Sequence, residues 1–242
     1  MKKIFIPFIA IVLFAWFAGL AQEDAHSSEI NSSVPELFDF HEVIYPIWHT
    51  AYPEKNYAML KEMVPEVNSG AEKIYSAELP GILRDKKSEW DEGVQKLRSS
   101  VEKYNGAMQG EDEIKMLTAA EDLHSDYEML VRIIRPVTKE VDEYHKVLYM
   151  IYHHYWPNKN MEEFGKAVDD LTMRAEELSN CALPKWAADK TEEFKKQTQE
   201  LYISTKELKD LKDSGNASDA DFEKSIENVH SEYVALERLF DN

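Results

Sequence analysis

Apolar positions recur every three to four residues along most of this chain, and nowhere do they alternate as they would in a half-buried strand. From residue 35 to 52, Leu37, His41, Ile44, Trp48 and Tyr52 form one stripe, with Tyr45 and His49 on its flank; Glu36, Asp39, Glu42 and Thr50 lie opposite, and Pro53 ends the run. A second helix is predicted from Asn56, with Leu60, Met63, Val67, Ala71 and Ile74 at helical spacing, stopping before Pro80. A third carries Trp90, Val94, Leu97, Val101 and Tyr104 until "NGAMQGED" breaks it. A fourth carries Ile114, Leu117, His124, Tyr127, Val131 and Ile134, and Pro136 closes it.

The pattern then starts again. "HEVIYPIWHTAYPEKN" (41–56) and "HKVLYMIYHHYWPNKN" (145–160) match at an offset of 104 residues, and the same offset lays "AELPGILRDK" (77–86) on "CALPKWAADK" (181–190). After a shift of two, "LHSDYEML" (123–130) meets "VHSEYVAL" (229–236). Three separated blocks at one period mean a tandem duplication. The expected fold is therefore all-α: two up-down four-helix bundles in series, residues 35–136 and 137–242. Asn160 with Glu163 has the pattern of a helix-capping box. No Gly/Ser linker separates the copies, so they are expected to be stacked in a fixed relation, with helix four passing into the next helix through a kink at Pro136.

Two lysines, a long apolar run and small residues at Ala18, Gly19 and Ala21 make residues 1–21 read as a secretory signal, cleaved after Ala21, of the kind used for bacterial export to the periplasm. Residues 22–34 are polar and read as a disordered leader. No other apolar run is long enough to span a bilayer, so no membrane association is expected after cleavage. The formal charge is −18, and −20 once Lys2 and Lys3 leave with the signal; such a chain repels nucleic acid and attracts cations or basic partners. A single cysteine, Cys181, excludes an intramolecular disulfide and a cysteine-rich metal site. No phosphate-binding glycine loop, Ser-His-Asp order, HExxH or CxxCH motif is present, and no enzyme activity is expected.

The histidines carry the chemistry. Six of the eight form matched pairs between the copies: His41 with His145, His49 with His153, His124 with His230. Surface positions have diverged meanwhile, Glu42 to Lys146 and Lys61 to Gly165 among them. His41 and His49 are about 12 Å apart along a straight helix, too far to share an ion. A metal site would instead join His124 to His41 or His49 across helices one and four, with Glu66 or Glu72 from helix two; the copies are His230, His145, His153, Asp170 and Glu176. Imidazole with carboxylate suits zinc, copper or iron. The alternative is that each histidine is a structural residue bonded to a neighbouring tyrosine or carboxylate.

The stretch "EKNYAMLKEMVPEVNSGAEKIYSAELPGILRDK" with "LHSDY" on helix four resembles the soluble periplasmic b-type cytochromes of four-helix-bundle form. In that family a Met on helix one and a His on helix four ligate haem iron. The resemblance implies haem b, with His41 standing where the family has Met, so that His41 with His124 and His145 with His230 would be axial pairs. Gly70, Ala71 and Gly93 would leave room for a porphyrin in the first repeat, whereas Arg174 and Gln197 stand at the glycine positions in the second. Three functions remain open: metal storage, delivery or sensing; di-haem electron transfer; and a non-catalytic interaction module.

Overall fold

The computed structural model describes residues 29–240, and residues 1–21, with the signal expected there, lie outside them. Every regular element among these residues is helical. The first repeat holds α1 (Pro35–Pro46), continued by a π turn (Ile47–Ala51), then α2 (Tyr57–Glu62), α3 (Val64–Tyr75), a 3-10 turn (Gly81–Lys86), α4 (Lys87–Met108) and α5 (Glu113–Ile134). The second holds α6 (Lys139–Met150) with its π turn (Ile151–Tyr155), α7 (Met161–Asn180), a 3-10 turn (Lys185–Lys190), α8 (Thr191–Ser214) and α9 (Asp219–Arg238). Successive helices pack as antiparallel neighbours, and each repeat has its own hydrophobic core. The expected tandem all-α bundles are therefore present. No helix among the described residues is long and apolar enough to cross a membrane.

Helix ends follow the local chemistry. Asn56 and Asn160 accept from the backbone N–H of Met59 and Glu163, the first half of a capping box. The complete, reciprocal box is at Ser218 and Asp221. Lys55 and Lys159 both take a left-handed φ, 53° and 52°, where the chain reverses after Pro53 and Pro157. The π turns occur in both copies, although only the first has a proline at position 46, so Pro46 is not their cause.

The repeats differ most in helix two. Pro65 offers no N–H to the carbonyl of Lys61, so the first repeat breaks into α2 and α3 at Met63. Asp169 stands at the corresponding position and α7 is continuous. At the break, the buried Tyr104 hydroxyl donates to the Leu60 carbonyl at 2.6 Å. Its counterpart in the second repeat is Leu208, buried and apolar. A second exchange is matched the same way: Phe40 and Val101 in one core become Tyr144 and Thr205 in the other, hydrogen-bonded at 2.7 Å. In both exchanges the hydroxyl enters the core together with its partner.

Five expectations are corrected. The inward stripe of helix one is Leu37, Phe40, Ile44, Ile47 and Ala51, one position away from His41, Trp48 and Tyr52. Helix four shifts likewise: Met116, Leu123, Tyr127 and Leu130 face in, while Ile114 is 77 % exposed. In each helix two registers were apolar enough to form the stripe, and the one richer in aliphatic residues is buried. Helix α4 runs through Gly106 to Met108 rather than ending at "NGAMQGED". Between the repeats the chain does not kink but stops: Arg135 is extended before Pro136, and Thr138 caps α6 by accepting from Val141. Residues 29–34 of the leader are also placed. Val34 is buried, Ile30 packs on the first core, and Ser32 donates to Asp142 of α6 at 2.9 Å.

Two predictions follow from this packing. A Cβ on Gly70 would lie 2.3 Å from the Phe40 ring, whereas one on Gly165 would meet nothing within 4 Å. Gly70→Ala should cost about 1–3 kcal/mol and Gly165→Ala should add about 0.5–1 kcal/mol, read by urea denaturation. Tyr104→Phe should cost about 1–3 kcal/mol by orphaning the Leu60 carbonyl, and less in a Pro65→Ala background in which the helix can close; a double-mutant cycle measures the coupling.

Candidate functional site

The matched histidines lie on one face of each repeat, where the π turn of helix one passes helix four. In the first repeat His124 stacks on Trp48, 4.0 Å between ring centres and 7° between planes, and Trp48 stacks in turn on Tyr52 at 4.6 Å. His49 lies against Tyr45 at 4.5 Å. His41 is at the surface, 6.2 Å from the Tyr127 ring. In the second repeat His230 stacks on Tyr152 at 4.2 Å and His145 on Tyr233 at 4.4 Å, while His153 is tilted against Tyr149 at 4.6 Å. Helix four thus meets helix one through an imidazole laid on the π-turn aromatic side chain, in both copies. The π turn places that aromatic residue outside the stripe of the α-helix before it.

The setting of this face differs between copies. In the second repeat it is covered by the Gly81–Lys86 turn of the first. Arg84 donates to the Tyr149 hydroxyl and, at 3.1 Å, to Nδ1 of His153. Asp85 lies 3.8 Å from Nε2 of His230, a charge contact rather than a hydrogen bond. His154 Nε2 is 2.8 Å from Glu29 of the leader. Tyr149 and Met150 of the second repeat join the core of the first. In the first repeat no turn among the described residues covers the corresponding position: Tyr149 is 2 % exposed, Tyr45 is 53 % exposed. A shallow groove of about 390 Å³ remains there, lined by Trp48, Glu121, His124, Ser125, Glu128 and Arg132.

Burial sets the protonation. His145 is pushed down to about 3, chiefly by desolvation against Asp85's opposing pull. His153 falls to about 4 by desolvation and the Arg84 guanidinium. Arg84 has only protons to give, so His153 must accept at Nδ1, and it is neutral. His124 is lowered as well, first by burial. Contact with His230 holds the Asp85 carboxyl below the usual carboxylate range.

The proposed ligand carboxylates do not join these rings. Glu66 lines a separate groove with Glu36, Asp39 and Phe40. Asp170 is 3.4 Å from Arg174, and Glu72 and Glu176 point into solvent. His124 meets helix one through Trp48, not through His41 or His49. Among the described residues, no three His, Cys, Asp or Glu side chains are grouped to hold an ion. A porphyrin does not fit either. The space beside Gly70 is filled by Phe40, that beside Gly93 by Leu130 and Ile133, and His145 and His230 each lie flat on a tyrosine. Comparison with protein-family models, with curated proteins and with solved structures finds no match.

Sequence reasoning found the histidines and missed what they touch. Arg84, Asp85 and Glu29 reach the second face from the first repeat and the leader. One signal was available: Arg84 is replaced by Ala188 while Asp85 is retained as Asp189, an unequal drift within a matched block.

The histidine shifts give a pH prediction. An imidazole whose folded pKa lies below its unfolded value stabilises fully above about pH 6.5, and that contribution is lost as pH falls toward the folded pKa, because the unfolded chain binds the extra proton. Unfolding free energy should therefore fall between pH 6.5 and 4. His145→Gln should flatten that slope, as measured by urea denaturation at a series of pH values.

Proposed function

We propose that this chain is an exported, non-catalytic interaction protein, and that the His41, Tyr45, Trp48, His49 and His124 face of the first repeat is its docking surface. The observation that carries this reading is the contrast between the copies. One histidine and aromatic face, built twice, is covered by protein in the second repeat and open in the first. His124 lies flat on Trp48 and His49 is tilted against Tyr45, with ring edges available to an acidic or hydroxyl-bearing group, as His230 meets Asp85. The signal-like residues 1–21 support export, and the capped helices and paired polar core groups support a rigid scaffold.

Under this reading the histidines are contact groups, not ligands to iron or zinc. Protein purified without a tag should carry well under one transition-metal ion per chain and show no Soret band after haem titration. His41→Ala with His49→Ala should leave the melting temperature within a few degrees, because both side chains are at the surface. His145→Ala should lower it clearly, because its ring fills space against Tyr233. Close to two ions per chain, lost in the His41 and His124 variants, would overturn the reading in favour of metal binding.

A further inference from the structure

The junction between the repeats is a contact made by two different surfaces: a turn on one repeat and a histidine face on the other. Two repeats in a row use one of each and leave one of each over. The unused face is that of the first repeat. The turn left over is Lys185–Lys190 of the second, a 3-10 turn like Gly81–Lys86 apart from the non-helical angles of Ala187. It follows a proline with the same backbone angles, φ −60° and ψ 155° at Pro80, φ −62° and ψ 156° at Pro184, and its Trp186 and Lys190 meet the chain's own Phe240 and Leu239. Exposure marks both ends. Trp186 is 68 % exposed where its counterpart Ile82 is 2 % exposed, as Tyr45 is open where Tyr149 is closed.

We propose that the chain associates head to tail, the Lys185–Lys190 turn of one copy seating on the His41, Tyr45 and His124 face of the next. This rests on reading that face as a docking surface and names its occupant. Asp189 stands where Asp85 meets His230, and the groove that would receive it offers His124 and Arg132 alongside Glu121 and Glu128, the last already 3.9 Å from His124. Trp186 replaces Ile82 with a larger apolar surface of the kind that anchors interfaces. Two differences weaken the contact between copies relative to the one within the chain. Ala188 lacks the two hydrogen bonds of Arg84. Lys185 replaces Gly81, whose added Cβ would lie 2.2 Å from the Tyr149 hydroxyl, so Tyr45 must turn aside, which its exposed position allows. Because turn and face are on different repeats, the contact is heterologous. Repeating such a contact extends an array or closes a ring. The net charge of −18 opposes association, so added salt should favour it.

Sedimentation velocity over roughly 10 µM to 1 mM, where small interfaces saturate, tests this. The weight-average mass should climb past that of a dimer, more steeply at high salt. Trp186→Glu alone and Tyr45→Glu alone should each give monomers with unchanged circular dichroism. A mixture of the two variants retains one intact turn and one intact face, and should form dimers that grow no further. A monomer at every concentration, or association indifferent to Trp186→Glu, overturns self-docking. The wider docking reading has its own readout, a labelled peptide of residues 77–90, which carries Arg84 and Asp85. Peptide binding by a chain that does not self-associate would make the occupant a foreign protein with an acidic turn. Metal bound through His41 and His124 would remove the docking reading itself.

Discussion

The contact between the Gly81–Lys86 turn and the face carrying Tyr149, His153 and His230 sets the character of both repeats. It covers His145 and His153 while their counterparts His41 and His49 stay exposed; His124 and His230 are covered alike. Arg84 fixes His153 as an acceptor, and the Asp85 carboxylate lies 3.8 Å from His230. Without that contact the second face would be as open as the first. Each repeat could fold around its own core, so the junction is not what makes the bundles; it is what makes them unequal.

The histidines in this setting act as flat, polar-edged rings. Each set places an imidazole on a tyrosine or tryptophan and leaves ring nitrogens toward the edge. Stacking satisfies the face of the ring, and only the edge needs a hydrogen-bonding partner. A ligand for iron or zinc needs a different disposition, with several nitrogens pointed at one centre. Paired histidines at matched positions are compatible with either arrangement at the level of sequence. The orientation is decided by the π turn, which carries Trp48 and Tyr152 outward to lie under the helix-four imidazole.

Much of the fold was legible because it rests on local signals. Pro53 and Pro157 end helix one, Asn56 and Asn160 cap helix two, and Trp90, Val94, Leu97, Val101 and Tyr104 mark a single unambiguous stripe, all buried. Helix one and helix four were read one position out of phase because His41, Trp48 and Tyr52 are as regularly spaced as Phe40, Ile47 and Ala51. The choice between them depends on what lies opposite in three dimensions. The repeat junction was illegible for the same reason: Arg84 and Asp85 look like ordinary surface charges in a turn. The leader offered little more, since Ser32 and Glu29 find their partners in α6 and its π turn, over a hundred residues away.

Pro65 and Tyr104 have a consequence for how the two halves can go on changing. The helix break at Pro65 frees the Leu60 carbonyl for the phenol to answer, and the phenol without the break is a buried hydroxyl facing a closed helix. At the other end of the duplication, Asp169 and Leu208 are a self-consistent pair of the opposite kind. Recombination between the duplicated halves that moved one member and not the other would produce a defective core. The halves are therefore locked into separate lineages within one gene, and a segment copied between them survives only if it carries both positions.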